Sequence, residues 1–164
     1  MKLPDHTVCS HTPSPLGPIT LAAAGDKLVG AWFEAQAHLP DLSRYAQAPD
    51  HPVLQQAARQ LADYFAGQRH QFELPLDLST GTTFQQKVWQ ALLGIPRGQT
   101  CSYKALSATI GQPAAVRAVG GAVGRNPLSI IVPCHRVVGS HGALTGYAGG
   151  LDRKTALLHL EGFL

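Results

Sequence analysis

Ile130-Ile131-Val132-Pro133-Cys134-His135-Arg136-Val137-Val138 is the stretch on which the reading of this chain turns. Two apolar runs enclose one reactive triplet. The β-branched run Ile130 to Val132 predicts a short buried strand. Pro133 has no N–H to give to a ladder, so pairing is expected to stop there. Cys134 is then presented at a strand end, with an imidazole and a guanidinium beside it in sequence. A thiol becomes a strong nucleophile when it loses its proton, and adjacent positive charge or a base favours that loss. A buried inert cysteine beside a histidine has the same local sequence, so the rest of the chain has to decide.

Upstream, residues 102–126 read as two short helices with a tight turn, which is helix-turn-helix spacing. Ser102 can cap the first, which carries Tyr103, Leu106 and Ile110. Gly111-Gln112-Pro113 breaks the chain and restarts it, and the second helix runs from Ala114 to Gly124. Its bulk is valine and one Arg117. Gly120, Gly121 and Gly124 cost about 1 kcal/mol each relative to Ala in a helix. Either close packing within the core or close approach of an outside surface, such as a DNA backbone, would justify them. Asn126-Pro127 closes the helix, and an Asn before Pro can fix the turn by bonding nearby backbone. Downstream, Gly139 to Gly150 is a glycine-rich loop carrying Tyr147, and Asp152 to Leu160 is a last helix. Further upstream, Thr82 or Thr83 caps a helix with Phe84, Val88, Ala91 and Leu92 on one face and Trp89 beside them.

The first half looks different. Ile19 to Ala22 and Leu28 to Phe33 are strand candidates joined through Gly25-Asp26-Lys27 as a hairpin. Residues 34–51 suit a loop. Pro52 opens a helix with Leu54, Ala57, Ala58, Leu61 and Phe65 at helical spacing, stopped by Gly67. A boundary falls near Ser79-Thr80-Gly81, giving domains 1–80 and 81–164, and nothing chemical stands out before it. Charge switches at the same place. Residues 1–80 hold 5 Lys and Arg against 8 Asp and Glu, net −3, and residues 81–164 hold 8 against 2, net +6. No acid occurs between Asp77 and Asp152, which suggests a polyanion partner. The three cysteines, Cys9, Cys101 and Cys134, are too scattered for a disulfide framework or a structural zinc site. No metal and no cofactor are expected. No run has the apolar length of a membrane span, and Met1 to Ser10 is not patterned as a signal peptide, so a cytoplasmic protein is expected.

Pro133-Cys134-His135-Arg136-Val137 resembles the active-site signature of the O6-alkylguanine-DNA alkyltransferases, the methylated-DNA–protein-cysteine methyltransferases. The resemblance extends through Ile95-Pro96-Arg97-Gly98-Gln99-Thr100 with Ser102-Tyr103, then Arg117-Ala118-Val119-Gly120-Gly121-Ala122, Asn126-Pro127, Gly146-Tyr147-Ala148-Gly149-Gly150, Lys154 and His159-Leu160-Glu161-Gly162, in the family's order and spacing. It covers nearly all of residues 82–162, whereas residues 1–80 match only loosely, as the family's variable N-terminal domain.

The resemblance implies an α/β protein. A small N-terminal α/β domain, a β-hairpin plus helix of RNase H-like type, would precede a mostly helical, winged helix-turn-helix-like domain with a short strand carrying the Cys. It implies that Cys134 takes the alkyl group from O6-alkylguanine, and from O4-alkylthymine, in a flipped-out base. His135 would act as base through a water, with Glu161 orienting it. Asn126 would hold the turn, and Tyr103 would donate a proton to the leaving guanine. Arg117 would enter the base stack, with Ala118, Gly120, Gly121, Arg125 and Arg97 toward the DNA. Val137, Tyr147, Ala148, Lys154, Ser129 and Pro133 would shape the substrate pocket. The partner would be double-stranded DNA bound through the minor groove by a monomer. Some relatives carry an N-terminal zinc site, which a half with only Cys9 does not suggest, and a preceding phosphotriester-sensing module is not expected. Ser129 stands where some relatives have Pro, which leaves the range of bulky adducts open.

Elementary chemistry agrees with those roles. Sulfur attacking a saturated carbon needs a thiolate, a proton for the leaving base and a dry pocket, and with positive charge and a base nearby the sulfur is expected to be held deprotonated. His135 with a carboxylate behind it is the general arrangement of base and orienter, and Glu161 is the only acid besides Asp152 in the second half. A base within a duplex must be extruded before its O6 is reachable. The product is a thioether that nothing in the chain reverses, so one event per molecule is expected. Three other readings remain. A same-fold binder of alkylated DNA would lack the reactive Cys, a transcription factor would want more polar readers than Arg117, and a cysteine hydrolase would turn over repeatedly.

Overall fold

The computed structural model describes residues 1–164. Three strands, β1 (Val8–Thr12), β2 (Ile19–Ala24) and β3 (Lys27–Phe33), form an antiparallel meander. The β2–β3 hairpin turns through Gly25-Asp26 with Ala24 opposite Lys27, a two-residue connection that suits strand twist. A fourth strand, β4 (Ala46–Gln47), pairs parallel with Val8 and Cys9 of β1, so the order is β3-β2-β1-β4. It lies in the stretch expected to be loop. Two residues carry no periodicity, and only the partner strand makes them a strand.

Both faces of this sheet are covered. Ile19, Leu21, Ala31 and Phe33 enter the main core, while Cys9, Ala22, Val29 and Trp32 meet Leu3 and Tyr45 in a smaller one. Helix α1 (Pro52–Phe65) starts with Pro at its first position, where the missing N–H costs nothing, and the His51 side chain accepts from Val53 N at 3.2 Å. It buries Val53, Leu54, Ala57, Leu61 and Tyr64.

Helix α2 (Thr83–Leu92) opens with a Thr82–Gln85 capping box, which satisfies two exposed backbone donors reciprocally. Its Trp89 is fully buried and donates Nε1–H to the Ala122 carbonyl at 2.8 Å. Strand β5 (Cys101–Ser102) leads into α3 (Tyr103–Thr109), capped by the Ser102 hydroxyl. Helix α4 (Val116–Gly124) begins two residues later than the expected Ala114, because residues 113–114 are spent on the turn. Strand β6 (Val137–Val138) pairs parallel with β5, and α5 (Leu151–Leu160) ends the chain.

The expected strand over Ile130 to Val132 is absent. Residues 129–132 form a tight turn, Cys134–Arg136 make one turn of 3-10 helix, and the strand comes after the cysteine, as β6. Asn126 is the reason. Its side-chain amide donates to Val132 O at 2.7 Å and Leu128 O at 3.3 Å, while its Oδ1 accepts from Leu128 N at 3.0 Å. These bonds bend the backbone back on itself and leave Ile130 in the left-handed region at φ 73°. That conformation costs a β-branched residue about 1–3 kcal/mol. Burial of Ile130, Ile131 and Val132 in the main core offsets it. The apolar run therefore reports burial correctly and backbone conformation incorrectly.

The turn is fastened to the first half of the chain. The outer edge of β3 pairs with it, as Ala31 N donates to Pro127 O at 2.8 Å and Ser129 N to Ala31 O at 2.9 Å. Residues 75–77 pair at Leu28 on the same edge. Asn126→Ala should therefore strand the buried Leu128 N–H and strip one of two donors from each of the Leu128 and Val132 carbonyls, which keep Val132 N and Cys134 N, costing on the order of 2–3 kcal/mol. Urea unfolding checks this, and a loss below about 1 kcal/mol would contradict the account.

Candidate active site

A cavity of about 240 Å³ opens onto Cys134. Its lining comes from α3 (Tyr103), from α4 (Gly120, Val123, Gly124), from the glycine-rich loop (Gly146, Tyr147, Ala148) and from the first half (Ala37, His38). A larger cavity, about 480 Å³, is lined by Ile130, Ile131, Pro133, Arg97 and Arg136 among others and offers no thiol or hydroxyl. Chemistry belongs to the smaller one. It is below the ~300–1,000 Å³ of drug-sized sites, so it suits a group of about one base.

Cys134 is 4% exposed. Burial pushes its thiol up to about 11, although the Asn126 side chain and the Lys154 charge pull the other way. The sulfur is thus a protonated thiol at neutral pH in the unliganded protein. This corrects the expectation that flanking positive charge holds a thiolate: desolvation outweighs it.

His135 is wholly buried, and its Nε2 lies 2.8 Å from Glu161 Oε2. Burial holds the imidazole below its ordinary value, with Arg136 and Lys154 adding to that, against the hydrogen bond and charge of Glu161. A neutral imidazole beside an ionised carboxylate donates from Nε2, so Nδ1 carries the lone pair. That Nδ1 is buried and has no hydrogen-bond partner in the protein. Glu161 is held by more than His135. Arg136 grips it with Nε to Oε1 at 2.8 Å and Nη2 to Oε2 at 2.9 Å, and the Tyr64 hydroxyl donates to Oε2 at 2.6 Å. Burial alone would raise the Glu161 carboxyl, but the hydrogen bonds from His135, Arg136 and Tyr64 hold it well below the carboxylate range.

The structure brings together Cys134, Tyr103, Gly120, Tyr147 and Ala148 on one cavity, with His135 and Glu161 paired behind. The Tyr103 hydroxyl reaches Thr145 O at 3.4 Å, and burial together with the Cys134 charge raises it. The Tyr147 hydroxyl is buried without a partner. Gly149 leaves room for that ring, since a Cβ there would come within 2.6 Å of it.

Four expected pocket residues do not line the cavity directly. Val137 is fully buried and its carbonyl takes the Lys154 ammonium at 2.6 Å. Lys154 is also fully buried, and bonds to Thr145 O at 3.0 Å and Gly146 O at 3.1 Å, stapling the loop rather than lining the cavity. The Ser129 hydroxyl is 3.2 Å from Gln36 Oε1, and Pro133 lines the larger cavity. Arg97, expected toward DNA, donates to Leu160 O at 2.9 Å and lies 5.6 Å from the Tyr64 ring centroid. The bond satisfies a carbonyl at the end of α5, which has no partner within the helix. Arg117, Ala118 and Arg125 remain exposed on α4, and Gly121 is half-buried.

Sequence reasoning missed Tyr64, Ala37 and His38. For Tyr64 a signal existed: it falls on the buried stripe of α1 three residues after Leu61, and a buried phenol needs an acceptor. Nothing marked Ala37 or His38.

Residues 83–163 match the family model described as the 6-O-methylguanine DNA methyltransferase DNA binding domain, and residues 7–78 match that of its ribonuclease-like domain. The chain belongs to the 6-O-methylguanine DNA methyltransferase family. It is 52% identical over 148 residues to a Mycobacterium tuberculosis protein named methylated-DNA–protein-cysteine methyltransferase, covering 90% of this chain and 88% of that one. It is 47% identical over 152 residues to the constitutive enzyme of that name from Bacillus subtilis, covering 90% and 91%. A crystal structure of Mycobacterium tuberculosis OGT in complex with DNA superimposes with a TM-score of 0.90 at 48% identity, over 94% of this chain and 93% of that one.

For a member of this family the thiol state has a measurable consequence. With the sulfur held up at about 11, iodoacetamide should modify Cys134 of the free protein far more slowly at pH 7.5 than it modifies cysteine in a peptide, and the rate should still be climbing at pH 9.5. A plateau reached by pH 8, read by peptide mass spectrometry, would show a thiolate instead.

Proposed function

We propose that this protein repairs alkylated DNA by moving the alkyl group of a flipped-out O6-alkylguanine, or O4-alkylthymine, onto Cys134 once and irreversibly. The observation that carries this is a buried thiol lining a base-sized cavity, followed in the chain by a histidine hydrogen-bonded to a buried carboxylate.

The base enters beside Tyr103, Gly120 and Tyr147. The thiol proton passes to His135 Nδ1 through a water, and Glu161 stabilises the imidazolium that forms. Because the resting thiol is weakly acidic, proton loss accompanies attack rather than preceding it. The S–C bond forms as the C–O6 bond breaks, and Tyr103 gives a proton to the departing guanine. Neutral guanine leaves more readily than its anion. The Ala148 backbone, at the cavity wall, is suited to the guanine edge.

Helix α4 is the proposed DNA face. Cβ atoms built at Gly120 and Gly121 would meet only ordinary contacts, at 3.8 and 3.6 Å, and one at Gly124 would meet nothing within 4 Å. Internal packing therefore does not demand these glycines, which favours close approach of an outside surface. Ala118 and Arg125 lie on that face, and Arg117 projects from it to fill the space of the extruded nucleotide. We assign minor-groove binding on the same ground, since small residues give little base-edge readout. The chain acts as a monomer in the cytoplasm, with residues 1–80 forming one domain and residues 81–164 the other. No helix is long and apolar enough to cross a membrane.

Mixing with O6-methylguanine DNA should add one methyl mass to the Cys134 peptide, at a ratio approaching one per molecule with no later turnover. Cys134→Ala should abolish transfer and retain DNA binding. Repeated turnover, or methyl transfer by Cys134→Ala, would exclude the mechanism. Arg117→Ala should slow transfer from duplex DNA by roughly 10-fold or more, and much less from single strands, where extrusion is already done. An equal loss on both substrates would remove Arg117 from the flipping step.

A further inference from the structure

Glu161 is held from the far half of the chain as well as from its own. Tyr64 lies on α1, is fully buried, and makes the shortest contact to the carboxylate, at 2.6 Å against 2.8 and 2.9 Å for His135 and Arg136. All three side chains share Oε2. The phenol is pinned on its other sides by Phe65 at 5.3 Å, Phe72 at 5.5 Å and the Arg97 guanidinium at 5.6 Å. A residue needed only to fill the core would not require a donor aimed at that one oxygen.

We propose that Tyr64 is a positioning residue of the relay, through which the N-terminal half fixes Glu161 and sets the basicity of His135. The inference rests on the reading of His135 as the base. Each donor on Oε2 withdraws part of the negative charge that the carboxylate presents to the imidazole. Removing the phenol proton leaves more charge facing Nε2 and favours the protonated ring. The other charged or titratable groups that face this cluster are Arg136 and Cys134 on the 3-10 turn, Lys154 on α5, Arg97 over the Tyr64 ring, and Tyr147 from the loop. Tyr64→Phe removes none of these groups and keeps the ring under Arg97. Burial and the Glu161 charge keep the phenol protonated well above its usual range, so it is a donor at any working pH.

The test is Tyr64→Phe, together with a fluorotyrosine at position 64 alone, which keeps the packing and strengthens the donor. His135 is titrated by imidazole NMR in the free full-length protein, and single-turnover methyl transfer is measured across pH. In wild type the acid limb of the rate should lie below the ordinary histidine value of 6.5. In Tyr64→Phe the His135 titration should move up by about half a pH unit or more, with the acid limb moving alongside. The fluorotyrosine protein should move both down.

A His135 titration that stays put in both proteins, with only the melting temperature lowered, would overturn the proposal and leave Tyr64 as packing. Should Tyr64→Phe fail to fold, the fluorotyrosine protein decides by itself. A titration that moves as expected while the rate limb does not, or while wild type transfers no methyl group, would uphold the coupling and defeat the functional reading instead.

Discussion

The carboxylate of Glu161 is the constraint around which the molecule closes. It is fully buried, and a carboxylate without partners in such a place costs several kcal/mol. Three side chains meet that cost, Tyr64 from α1 and His135 and Arg136 from the turn after Pro133, while Glu161 itself follows α5. The carboxylate is satisfied only when all three segments are docked. Arg136 extends the same network to the Ile95 carbonyl at 2.6 Å.

The cysteine is built for restraint. Low exposure and a raised pKa both lower the reactivity of the sulfur toward small electrophiles and oxidants, since reactivity follows thiolate character and access. Under the proposed single transfer to Cys134, such inertness is useful. In the proposed mechanism activation falls to the His135 imidazole, whose basicity burial lowers and Glu161 partly raises again. The two effects oppose each other, and the network behind the imidazole sets the balance.

Local chemistry made much of this legible. Pro52, the Thr82–Gln85 box, Ser102 and the Gly25-Asp26 turn act within a few residues of themselves, so their helices and hairpin could be read directly. The pairing of Cys134 and Tyr103 on one cavity, and of His135 with Glu161, followed from resemblance and from the scarcity of acids in the second half. The strand over Ile130 to Val132 misled because β-branched burial is shared by strands and by tight core turns. The bonds that choose between them run from Asn126 to positions two and six residues away, where periodicity has nothing to say.

The sequence by itself determined which groups are available to react, where the capped helices begin, and that the net positive charge lies in the second half of the chain. Tertiary structure alone decided how those groups behave. Burial turned a cysteine flanked by positive charge into a resting thiol, drew Arg97 and Lys154 inward to carbonyls, and recruited Tyr64, Ala37 and His38 from a half that had seemed chemically silent. The reason is physical: a pKa and a hydrogen-bond partner depend on distance and desolvation in space, and neither is a property of neighbours along the chain.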